Sequence, residues 1–360
     1  MFEKKKGKMK AIFSQKGALA IALMAIIQIG YLLIFNILRM ETEVNMDSSE
    51  YLVQVMQIFR QETLVIDDYY YSTALMWDMP TLLAVAFYAV TKDVFLAWGL
   101  SVDVFVVVLA IVIYRLCEKL GILPIGRWLS ILAIFTVYDF GLVDYADVMF
   151  VNGATYLVRI IVMLLLIDIV IGCHKDDKLP RGRAALYFIV LVGLFIGGIS
   201  TGMFALGCCV FPIFLFEVCF ILKKENLFRI KDCLQLPFLM TVGAIVATLA
   251  GMAANRFLGL PQSQEMTKIL LSVERMSGQI GQNIVAILKL FGWPDGGTML
   301  FSGAGIAALL SLAVFVAWWC VFLTSTFCIL RRTNICGKTE EVRKAFAGMT
   351  LCVFLVNFAL

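Results

Sequence analysis

Histidine is nearly absent: the 360 residues contain one, His174, in a segment read as a cytoplasmic loop. That scarcity removes most histidine-based metal and triad chemistry. Charge is scarce as well. Charged residues make up 16% of the chain and apolar residues 61%, against about 25% and 45–50% in a soluble globular protein. A soluble fold is thereby excluded, and the mean hydropathy of +0.92 agrees. Ten cysteines are present, but none lies in 40–93 or 255–300 and there is no CxxC, which argues against both a disulfide framework and a structural zinc site. Neither a P-loop nor a dinucleotide fingerprint occurs, so cytoplasmic nucleotide chemistry has no support. No internal repeat of fixed period is visible.

What the chain does have is long apolar runs with a patterned charge between them. Residues 1–16 carry Lys4, Lys5, Lys6, Lys8, Lys10 and Lys16 against Glu3 alone. Beside a span, such a run is a topology signal or an anionic-lipid contact rather than a nucleic-acid site. Gly17–Arg39 follows, uncharged until its end, and as a helix it would be about 35 Å long, enough for a ~30 Å hydrocarbon core. It reads as an uncleaved signal anchor with a cytoplasmic N-terminus. Further spans are expected at about 94–114, 123–140 and 150–172, two within 184–222 divided near "GGISTG", then 234–254 and 301–329. A ninth run begins near Ala345 and stops at Leu360, about 16 residues where ~20 are needed, which predicts a chain cut from a longer protein. Every loop placed inside is basic, and 40–93, placed outside, holds nine acids against Arg60 and Lys92. The expected fold class is an all-α polytopic membrane protein of about eight or nine transmembrane helices. Its organisation is a basic cytoplasmic segment, 1–16, and a single transmembrane domain, 17–360, with outer loops at 40–93 and 255–300. Gly193–Gly197 and Gly198–Gly202 have the GxxxG spacing of close helix packing.

The first outer loop opens with "NMDSSEYLVQVMQIF", starting at Asn45. Tyr51, Leu52, Val55, Met56 and Phe59 recur at helical spacing, so a helix over 48–62 would lie in the outer interface with this face down. Asp47 would be its N-cap and Glu50 its N3 residue. An aromatic, acidic stretch with Asp67, Asp68, three tyrosines and Trp77 comes next, then an apolar run at 80–91 too short to span. The order is span, acid, surface helix, aromatic loop, short re-entrant helix, span. With "DSSEYL" and "KDVFLAWGLSVDV" it resembles the membrane glycosyltransferases of the GT-C class over about residues 17–120. The resemblance implies a sugar donor linked to a polyprenyl phosphate, a bacterial plasma-membrane setting, and an outer-loop acid as the catalytic residue, here Asp47 or Glu50. The class's acidic pair "DE" reads "DSSE" in this chain, and no histidine matches the "HPP" element of the protein mannosyltransferases.

The chemistry needs few groups. A sugar on a lipid phosphate already has a leaving group, and the acceptor hydroxyl must lose a proton as it attacks. One carboxylate can act as that general base, typically for 10²–10⁴-fold, and direct displacement inverts the anomeric centre. Retention would need a second carboxylate about 5 Å away. Cations must meet the departing phosphate; the candidates are Arg159, Lys92 and Arg256. Arg159 lies inside an apolar run, about two turns from its outer end, and either binds phosphate, snorkels to the outer interface, or pairs with Asp139, Asp144 or Asp147. Asp67 and Asp68 either hold a divalent metal, the one cofactor the sequence leaves room for, or form a solvated turn. Tyr70 and Trp77 either stack on sugar or belong to the interfacial aromatic belt. A different class of function, a transporter or lipid flippase, would use the glycine-broken run at 193–207 with Arg159 and Asp168. A noncatalytic membrane subunit would explain the lack of any exact motif.

Overall fold

The computed structural model describes residues 2–66, 69, 71, 75–136, 149–151, 154, 156–175, 180–225, 235–260, 273–290, 299, 301–331 and 338–359. Among the described residues the regular structure is entirely helical. Seven helices are long and apolar enough to cross a bilayer, so the chain is a polytopic helical membrane protein. They form two compact units: Met1–Ile66, Met79–Val137 and Asp147–Leu164 in the first; Asp67–Asp78, Tyr138–Ala146 and Leu165–Leu360 in the second.

The first unit opens with α1, Phe2–Arg39. Its exposed Leu19, Leu23, Ile27, Ile34 and Leu38 form the kind of apolar surface that lipid covers. One 3₁₀ turn, Met40–Thr42, leads to α2, Met46–Gln61. The cap of α2 differs from the expected one. Asn45, in extended backbone, accepts the Ser48 N–H at 2.9 Å, and Ser48 Oγ accepts the Asn45 N–H at 2.8 Å. This reciprocal box satisfies two orphan amides at once and starts the helix two residues early, so Asp47 is not the cap and Glu50 is not at N3. The apolar face is as read from the spacing, but it is covered by protein. Tyr51 stacks on Trp98 at 5.7 Å, and Phe59 meets Tyr88 edge-on at 5.3 Å. These partners lie on α4, Val94–Lys119, and α3, Thr81–Thr91. At 11 residues α3 is about 16 Å long and cannot cross a bilayer. Asp93 caps α4 by accepting the amides of Phe95 and Leu96.

After α4 the chain turns through Gly121, whose φ of 69° suits a residue without a Cβ, into α5, Pro124–Phe135. Arg127 locks this joint by donating to Glu118 Oε1 at 2.9 Å and to the Ile122 carbonyl at 2.8 Å. The span expected at 123–140 is thus a 12-residue helix that ends at the extended Thr136. Next is α6, Leu157–Lys175, which begins in the first unit and ends in the second.

The second unit continues with α7, Arg181–Ser200, a turn at Thr201–Gly202 with Gly202 at φ 55°, a π-helical segment, Ala205–Val210, and α8, Phe211–Glu225. The two spans expected within 184–222 are therefore present and break where "GGISTG" stands. Four helices complete the unit: α9, Leu236–Leu258; α10, Val273–Leu290; α11, Gly303–Arg331; and α12, Lys338–Ala359. A Cβ on Gly198 would lie 2.2 Å from the Thr248 carbonyl oxygen, and one on Gly251 would lie 2.1 Å from that of Phe195. The backbones of α7 and α9 thus touch, which is the packing that small residues permit in a membrane. Arg343, Lys344, Glu340 and Glu341 occupy the first third of α12, which is not among the seven long apolar helices.

Alternation of the spans has an internal check in this unit. Trp77 and Asp78, the end of α7 and the end of α9 are all expected on one side. They meet: the Trp77 N–H donates to Ser200 Oγ at 3.2 Å, Thr201 Oγ1 to Asp78 Oδ2 at 3.0 Å, and Asn255 Nδ2 to the Ile199 carbonyl at 2.8 Å. On the opposite side, Arg183 at the start of α7 donates to the Gly172 carbonyl near the end of α6.

Candidate functional site

The sequence-derived acids stand in the first turns of α2. Asp47 is its second residue and Glu50 its fifth. Glu50 is half-buried; the side chain of Asp47 lies outside what is described. The helix that carries them is held rigidly, with Ser48, Tyr51, Leu52, Val55 and Ile58 buried behind it. That is the support a reacting group requires.

The three candidate cations have different surroundings. Arg159 is buried, and its guanidinium carbon lies 5.7 Å from the centre of the Tyr156 ring. Because α6 begins at Leu157, Arg159 sits in its first turn, nearer the helix end than the sequence suggested. A cation there opposes the helix dipole, typically by 0.3–1 kcal/mol, so its position is not explained by helix stability. Lys92 is exposed, ends α3 in a left-handed conformation with φ 58°, and places Nζ 4.1 Å over the Phe59 ring. Arg256 is exposed in the last turn of α9, where the dipole favours a cation. Lys92 and Arg159 belong to the first unit and Arg256 to the second.

Asp67, Asp68 and Tyr70 lie outside the described residues. Trp77 is half-buried, and its indole Nε1 is shielded with no hydrogen-bond partner among the described residues. Among the described residues no group of three His, Cys, Asp or Glu side chains is placed to hold a metal, and none of the eight described cysteines is in a disulfide.

Two polar constellations escaped the sequence reading. In the first unit, Asn36 of α1 is fully buried and donates from Nδ2 to Asp103 Oδ1 of α4 and to the Phe150 carbonyl, both at 2.9 Å. Asp103 was legible as a charge inside an apolar run, in "SVDV". Its partner, 67 positions away, was not. In the second unit, His174 lies within α6 rather than in a loop, and its Nε2 is 2.8 Å from Glu217 Oε1 of α8. Both side chains are almost completely buried, at 4% and 2% exposed. Asp168, in the same helix, is buried too. Ionisable groups inside spans are expensive to place and commonly functional.

No family model matches the chain, and neither a curated protein nor a solved structure matches it.

Proposed function

We propose that the protein transfers a sugar from a polyprenyl-phosphate donor to an acceptor hydroxyl on the extracytoplasmic face of a bacterial plasma membrane, with its N-terminus in the cytoplasm. The observation that supports this reading is the arrangement between the first two long spans. Two helices too short to cross, α2 and α3, are docked through Tyr51–Trp98 and Phe59–Tyr88 contacts, so the acids of α2 stand on a fixed element. In the proposed reaction Asp47 or Glu50 takes the acceptor proton as the acceptor oxygen bonds to the anomeric carbon. The bond from that carbon to the phosphate oxygen breaks, and the polyprenyl phosphate leaves with the electron pair. Inversion follows from the single displacement. Arg159 is the cation assigned to the leaving phosphate.

The corrected cap makes the test cleaner. Asn45 holds the helix end, so Asp47→Asn leaves the cap in place. In vesicles supplied with a polyprenyl-phosphate-linked hexose, Asp47→Asn or Glu50→Gln is expected to reduce donor turnover by 10²–10⁴-fold, the usual contribution of a general base. Full turnover in both variants would reject the reading.

A second reading, transport, is favoured by one observation: Asp103, Arg159, Asp168 and Glu217 are all buried within long apolar helices. It expects substrate movement that depends on Arg159 or Asp168 and is indifferent to Asp47.

A further inference from the structure

The Asn36–Asp103 contact has an imbalance that a proton corrects. Asn36 spends both N–H groups of its amide, one on Asp103 Oδ1 and one on the Phe150 carbonyl. Exchanging its oxygen and nitrogen would set the amide oxygen against two acceptors, so the orientation is fixed by the network. The remaining atom, Asn36 Oδ1, is buried with no partner among the described residues. It is an acceptor without a donor, beside a carboxyl group that has used one oxygen. Buried groups in this condition are rare and call for an explanation.

Gly99 lies one turn from Asp103 on the same face of α4. A Cβ there would come within 2.3 Å of the Asn36 carbonyl oxygen, so the backbones of α1 and α4 touch beside the site. The Asp103 carboxyl can itself supply the missing donor, because a proton on its free oxygen needs no added group. No charged group compensates either. Asn36 is the one side chain from α1 bonded to Asp103, and among the described residues of α2, α3, α5 and the start of α6, no acid or base pairs with it.

We infer that Asn36 and Asp103 form a proton-binding site at the α1–α4 contact. The proton resides on Asp103 Oδ2 and is donated to Asn36 Oδ1, while Asn36 Nδ2 donates to Asp103 Oδ1. The two groups then close an acid–amide ring with every donor and acceptor matched, and the pair is neutral inside the span. Loss of the proton leaves two oxygens facing each other with no hydrogen between them. The site is independent of the transferase reading, since it uses none of the residues assigned to that reaction.

The test is infrared spectroscopy of the full chain in lipid vesicles at pH 7, labelled isotopically at aspartate. A carbonyl band of protonated carboxyl is expected in the wild-type protein, to disappear in Asp103→Asn and to shift in Asn36→Leu. Asp103→Asn is also expected to fold with an unchanged unfolding temperature, because an amide reproduces both ring hydrogen bonds, whereas Asp103→Leu is expected to lose stability. Identical spectra for the wild type and Asp103→Asn overturn the inference. So does an Asp103→Asn protein that fails to fold.

Discussion

Each unit ties a buried aspartate to a neighbouring helix, but with different chemistry. In the first, Asp103 lies within the long α4 and is held by the amide of Asn36, itself completely buried. In the second, Asp78 precedes α3 in the chain and is held by the hydroxyl of Thr201, just past the end of α7. The Thr201 hydroxyl also lies 3.2 Å from the Gly197 carbonyl, so it has a local acceptor whether or not Asp78 is there. Asn36 has no such alternative, because both of its donors reach across to other segments. The Thr201 hydroxyl keeps a local acceptor when Asp78 is lost, whereas the Asn36 amide, in the last turn of α1, keeps none. The comparison teaches that similar distances, 2.9 and 3.0 Å, need not carry similar weight.

The largest effect is therefore expected at Asn36. Asn36→Leu strands a carboxyl and a carbonyl inside the first unit and should destabilise by about 3 kcal/mol, in the range for unsatisfied buried groups. Equilibrium unfolding in mixed micelles would measure it. Gly198→Ala comes next and is a purely steric counterpart. Its new methyl meets backbone, not a flexible side chain, so a loss of about 1–3 kcal/mol is expected, as for overpacking, and the same unfolding measurement reads it. Thr201→Val should be the mildest, near the ~0.6 kcal/mol average for hydrogen bonds in a membrane protein. If Thr201→Val proved as damaging as Asn36→Leu, the distinction between bonds with and without a local alternative would fail.

Much of the fold was legible because bilayer crossing demands long apolar runs, and seven such runs became long helices. The break inside 184–222 was legible from glycine, which stands at the turn and at the α7–α9 crossing alike. Where the reading went astray, a local signal had a competitor nearby. Asp47 looked like a cap, but Asn45 caps equally well and has Ser48 three residues on to complete the box. The run at 123–140 was apolar enough for a span, yet its helix stops at Phe135. His174 looked like loop because lysines and aspartates follow it; its partner Glu217, 43 residues on, keeps it in the helix and out of water. The Asn36–Asp103 pair shows the general limit. Periodicity reports which side of a helix is apolar, but not which polar residue of another helix will face it.

The contact between Gly198 and Gly251 has one more consequence. Main chain rests on main chain there, so no acyl tail can enter and neither helix can roll without the other's carbonyls blocking it. Any displacement of α7 at this crossing is therefore expected to carry α9 with it. Bending of this part of the chain is expected beyond the pair, at the wide π-helical segment Ala205–Val210 that follows the Thr201–Gly202 turn.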